Sequence, residues 1–236
     1  MPVEFIVIGV TSPTLAAIWT QWLVEGNLRI CHLFTRWYLM LFGLVGGVAL
    51  MFLACSVAPA MMMAKPSPRA VQWVALLLPA SYAVNWSTFF GGPVNEEPGW
   101  RGFALPRLQA RFGPVLGSMI LGLIWAGWHL PLFLLRGWIS VPVWAFVLIL
   151  VCVSILITWM TNLGRTSIFV PISMHVAFNM SAQLLGKLLP GTSTRSPELA
   201  FFLAGMITTT LTLVLLTCGG LGFQRTSTSS TTQTAA

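Results

Sequence analysis

The sequence contains no aspartate, and five glutamates supply all of its side-chain negative charge. Charged residues make up 7% of the chain, against roughly 25% in an ordinary soluble domain, while 56% is hydrophobic. A soluble domain of 236 residues still needs a polar surface over its core, so this shortage excludes one. The lack of aspartate also excludes an intramembrane aspartyl protease, which needs two. The zinc-protease pattern H-E-x-x-H is missing, and so is the G-x-S-x-G nucleophile elbow. The four cysteines, Cys31, Cys55, Cys152 and Cys218, are scattered, with neither C-x-x-C nor zinc-ribbon spacing. No disulfide framework is read from them, since cysteine in an apolar run behaves as a small hydrophobe.

What remains is an all-α, polytopic transmembrane helix bundle. A spanning helix needs about 20 apolar residues, and seven such runs are visible, near 5–24, 37–60, 70–90, 114–135, 141–162, 168–189 and 199–221. The first is the weakest, because Thr11, Ser12 and Pro13 interrupt it. The net charge of +7 falls mostly between these runs, where basic residues anchor helices at the membrane surface and set topology; nucleic acid is not an expected partner. Alternate connections carry seven basic residues on the side holding 91–113 and five on the other, which places that side in the cytoplasm. The chain reads as one domain over 1–225 with its motif core at about 90–185, followed by a disordered Thr/Ser-rich tail, 226–236. Within the longest connection, Phe103, Leu105, Leu108 and Phe112 alternate with Arg101, Arg107 and Arg111. That pattern predicts a short interfacial helix near 100–113, bent or broken at Pro106.

Ionisable groups beside or within apolar spans are costly and usually functional. Glu96 and Glu97 stand together in "NEEPGWRG", with Arg101 four residues beyond Glu97, a spacing that lets the two pair on a helix. Glu96 then points about 100° away. A bland alternative is a solvated cluster at a helix end, with Asn95 as the cap. His129 lies in "WAGWHLPLF", one turn after Trp125, and His175 and Asn179 share a helix face at i and i+4. Taken alone, His129 reads as a hydrogen-bonded core histidine, and His175 with Asn179 as an interhelical polar clamp. His32 falls outside these patterns and reads as a loop or interface residue. Together, carboxylate, imidazole and amide suffice for hydrolysis: a base for water, a partner to hold it, and donors for an oxyanion.

"EEPGWR" at 96–101, "WAGWH" at 125–129 and "HVAFN" at 175–179 match, in order, the patterns E-E-x-x-x-R, F/W-x-x-x-H and H-x-x-x-N. In these three motifs the chain resembles the CPBP family, the prokaryotic CAAX proteases and bacteriocin-processing (Abi) enzymes. The resemblance implies an intramembrane endopeptidase of about eight helices in a prokaryotic cell membrane, one more than the seven visible here. It implies Glu96 as the base that activates water, His129 as its helper, and Glu97 and Arg101 as supports. His175 and Asn179 would line the oxyanion position. The family is named for metalloproteases, and Glu96, His129 and His175 could hold zinc; a metal-free, glutamate-activated water is the other option, and the sequence leaves the two open. The implied substrate is a peptide or protein with a membrane-associated segment, in contact with membrane lipids. Two other readings stand: a non-catalytic membrane adaptor or bacteriocin-immunity protein with the same fold, and a proton-coupled transporter using Glu and His as a relay.

Overall fold

The computed structural model describes residues 3–26, 36–56, 92–135, 141–164, 167–188 and 197–224. The expected span at 70–90, His32 and the tail after 225 lie outside them. Among the described residues the chain is all helical. In chain order the long helices are α1 (Val3–Glu25) and α2 (Leu39–Ser56), then, after a short motif helix, α5 (Pro114–His129), α6 (Val143–Leu163), α7 (Phe169–Leu188) and α8 (Pro197–Leu216). The motif helix begins as α3 (Pro93–Glu97), widens into a π-helical stretch over Pro98–Ala104, and ends as α4 (Leu105–Phe112). Six of the seven expected runs are therefore helices. Three stretches are long and apolar enough to cross a membrane, Pro114–Leu134, Val143–Leu163 and Leu199–Leu216, with Leu39–Met51 a shorter apolar helix. This is an all-α membrane helix bundle.

The core forms around α6, whose sequence is apolar on nearly every face and which is buried through most of its length. It packs against α5, α7 and α8, and α2 closes over α7. Small residues permit that last approach. A Cβ on Gly43 would run into Ser173 and Val170, and one on Gly47 would sit 2.8 Å from the Ala177 methyl. This is the small-residue seam that lets helices meet closely where water supplies no driving force. One buried hydroxyl links two helices: Ser154 Oγ donates to the Ser118 carbonyl at 2.9 Å, tying α6 to α5.

Pro106 does not break the motif helix. A proline inside an α-helix lacks an N–H and presses its ring on the carbonyl four residues back. Here the turn before it is widened, so that the Leu105 N–H reaches the Trp100 carbonyl, five residues back. Proline then falls in the first turn of α4, where its missing N–H costs nothing. The expected interfacial helix is thus α4 alone, with Arg107, Ala110, Arg111 and Phe112 exposed and Leu105 and Gln109 buried. Gly113 ends it at φ +78°, a conformation that favours glycine, and α5 follows at once. Gln109 and the half-buried Asn162 pair their amides, with Asn162 Nδ2 at 2.9 Å from Gln109 Oε1, and Asn162 also donates to the Leu221 carbonyl of the turn after α8.

Pro13 is likewise absorbed. α1 runs through it, and Ser12 Oγ donates at 2.7 Å to the Gly9 carbonyl, the acceptor that Pro13 leaves without a backbone donor. This irregular point is where α1 meets the motif helix. Thr14 Oγ1 donates to the Asn95 carbonyl, Trp128 Nε1 donates to Ser12 Oγ at 3.2 Å, and Gly99 lies so close that a Cβ there would strike the Pro13 carbonyl.

Candidate active site

α3 and the π-helical stretch carry the first motif, α5 the second and α7 the third. The fold brings them together. The helix starts at Pro93, two residues before Asn95, with Gly92 at its cap; the backbone N–H groups of Asn95 and Glu96 both donate to the Gly92 carbonyl. Asn95 is therefore inside the helix rather than its cap. Glu96 and Glu97 are both buried, at 4% and 0% exposure, so this is not a solvated cluster.

The two glutamates face different helices. Glu97 Oε1 accepts from Arg101 Nη1 and from His175 Nδ1, each at 2.8 Å, and so joins the first motif to the third. Glu96 Oε2 accepts from the Trp125 indole N–H at 2.8 Å, which joins the first motif to the second. This is the divergence of about 100° between neighbouring helical positions. A Cβ on Gly92 would lie 3.0 Å from Glu96 Oε1, so glycine there keeps that oxygen uncrowded.

His129 is half-buried at the end of α5. Its Nδ1 lies 2.9 Å from the Trp125 carbonyl. A carbonyl only accepts, so Nδ1 carries the proton and, in the neutral ring, Nε2 keeps a lone pair. Rings enclose the histidine: Trp128 at 4.7 Å, Phe146 at 5.6 Å and Trp125 at 5.8 Å between centroids, all edge-on. Trp125 also meets His175 edge-on at 4.9 Å. The Arg101 guanidinium lies over the Trp125 face, 4.3 Å from its centroid. Burial pushes the Arg101 pKa down from its ordinary value, with the charges of Glu97 and Glu96 opposing the shift. A guanidinium starts so high that it stays charged. Its Nε and Nη2, together with Glu97 Oε2 and Trp100 Nε1, are buried without a hydrogen-bond partner among the described residues. Asn179 is half-buried on α7, one turn beyond His175.

As arranged, the metal candidates do not fit a zinc site. Among the described residues no three His, Cys, Asp or Glu side chains form a group that could hold a metal ion.

Residues 71–181, which contain all but the last two turns of α7 and every residue of the three motifs, match the family profile of the type II CAAX prenyl endopeptidases, Rce1-like. The motif-bearing segment is thus similar to that family over a little under half of the chain. A curated relative, CAAX prenyl protease 2 of Methanococcus maripaludis, is 34% identical over 98 residues, covering 38% of this chain and 36% of the relative. The chain thus matches about a third of that relative's length. No solved structure matches it.

The sequence pointed to six site residues. Five of them, Glu96, Glu97, Arg101, His129 and His175, join one network through Trp125. What the sequence reading missed is the donor on Trp125 and the contribution of α1. The only local signal for the first was the i, i+4 spacing of Trp125 and His129; for the second it was Ser12-Pro13-Thr14, which looked like a defect.

Proposed function

We propose that this protein is an intramembrane endopeptidase that hydrolyses a peptide bond of a membrane-associated protein or peptide, using a water activated by Glu96 and His129. One observation carries the reading: two adjacent buried glutamates are split, one held by a cation and an imidazole, the other held through a single oxygen beside a half-buried histidine. A purely structural pair has no need of that division.

In the proposed reaction, water sits between Glu96 Oε1 and His129 Nε2. Glu96 takes a proton as the water oxygen bonds to the scissile carbonyl carbon, and His129 holds the water as an acceptor. The carbonyl oxygen becomes an oxyanion, stabilised by the Asn179 amide and by His175. With Nδ1 committed to Glu97, His175 donates from Nε2 only with both ring nitrogens protonated; Glu97 already balances Arg101, so the oxyanion meets that added charge. The C–N bond then breaks, and Glu96 returns its proton to the departing amine. No step requires a metal, which accords with the poor fit of the candidate ligands. The name of the curated relative suggests prenylated C-terminal segments as one substrate class. We place residues 1–225 in a single domain, in a prokaryotic cell membrane.

The test compares protein and peptide ends in membranes from cells expressing wild type, Glu96→Gln and His129→Ala at matched abundance. New ends that appear only with wild type are the expected result. Identical ends from all three folded proteins, with any cellular effect retained by the variants, would replace this reading with the non-catalytic adaptor. Vesicles that show pH-driven flux and no new ends would replace it with a transporter.

A further inference from the structure

Trp125 contacts four of the six candidate residues, Glu96, Arg101, His129 and His175. It is 1% exposed. Its indole N–H donates to Glu96, its face carries Arg101, its ring meets both His129 and His175 in T-shaped contacts, and its carbonyl fixes the His129 tautomer. Among the described residues, no other side chain donates to Glu96. Several of these contacts need only an aromatic ring of the right size. The N–H bond is different, because a phenylalanine would fill most of the same space and offer no donor.

We propose that Trp125 is a positioning residue for catalysis: its indole N–H fixes the Glu96 carboxylate, so that Oε1 alone is presented to the attacking water. This rests on the endopeptidase reading above. The terminal torsion of a glutamate is broad and nearly two-fold, so an unheld carboxylate samples many orientations and exchanges its two oxygens. A hydrogen bond to a charged acceptor in a buried site is among the stronger ones, and it stops that rotation. Gly92 supports the same arrangement from the other side by leaving Oε1 free of a neighbouring methyl. The backbone of Trp125 completes the geometry. By accepting from His129 Nδ1 it leaves Nε2 as the acceptor, so one residue orients both groups that would hold the water.

The experiment removes the donor while keeping the ring. Trp125→Phe is compared with benzothienylalanine introduced at position 125, which replaces the indole N–H by sulfur at nearly unchanged size. Both are assayed beside wild type and Glu96→Gln, on a quenched reporter built from a peptide end that only wild type produces. The expected result is a kcat lower by roughly ten- to hundredfold in both donor-free proteins, with KM and melting temperature close to wild type. Wild-type kcat in the benzothienylalanine protein, with Glu96→Gln inactive, would overturn the proposal and leave the endopeptidase reading standing. Loss in Trp125→Phe that benzothienylalanine restores would also overturn it, assigning the effect to ring volume. Should Trp125→Phe fail to fold, the benzothienylalanine comparison decides alone. If Glu96→Gln cleaves as wild type does, or wild type yields no peptide end, the underlying reading falls and the proposal with it.

Discussion

His175 donates from Nδ1 to Glu97 Oε1 at 2.8 Å, joining two residues 78 positions apart in the chain. The same oxygen accepts from Arg101, so Glu97 balances a buried guanidinium and orients an imidazole from another helix.

The two adjacent glutamates should therefore separate by assay. Removing one partner of a buried ion pair leaves the other charge uncompensated, so Glu97→Gln should lower stability by about 3–5 kcal/mol. Glu96→Gln keeps an oxygen for the Trp125 N–H and leaves the Glu97–Arg101 pair intact. It should cost under about 1.5 kcal/mol while abolishing proteolysis. Thermal unfolding in detergent, run beside the peptide-end comparison, reads both. Equal destabilisation by the two variants would contradict the division of roles.

Gly99 is the contact point of the motif helix with α1. A methyl there meets backbone at Pro13, which cannot swing aside as a flexible side chain would. Gly99→Ala is expected to destabilise by roughly 1–3 kcal/mol and to loosen α1. Gly127→Ala is the control, since nothing lies within 4 Å of a Cβ at that position and alanine favours a helix. Protease susceptibility of α1 should rise in the first variant alone.

The amide pair between Gln109 and Asn162 predicts non-additivity. Either single change to leucine leaves a buried or half-buried amide short of a partner and should cost about 1–3 kcal/mol. Changing both should cost less than the sum, by at least about 0.5 kcal/mol, in a double-mutant cycle. A strictly additive result would mean that the two amides act independently.

Much of this architecture is legible in the sequence because apolar length and i, i+4 spacing are local properties. Glu97 with Arg101 follows from spacing alone, and so does the divergence of Glu96 from its neighbour. The His175–Glu97 bond does not, because it depends on how α7 packs against the motif helix. Pro106 misled in a different way. A propensity argument gives its cost inside an α-helix, whereas the chain avoids that cost by widening the preceding turn. Ser12-Pro13-Thr14 misled most, since the same residues that weaken α1 as a regular span supply its contacts with the site. The count of spans was set by apolar runs, while the polar residues of α7, among them Ser173, His175 and Asn179, place it among the helices that composition alone does not mark as crossing a membrane.

The Ser12 bond to the Gly9 carbonyl also bears on the order of assembly. α1 is synthesised before the motif helix, and its contact on the Asn95 carbonyl lies 81 residues downstream of Thr14. At about 5–20 residues per second, the ribosome needs roughly 4–16 s to supply that partner. Throughout that interval the proline break has its stray carbonyl already satisfied from within the helix. α1 can wait for the rest of the protein without an open backbone acceptor to recruit a wrong neighbour, and the newborn chain keeps its docking point for the motif helix.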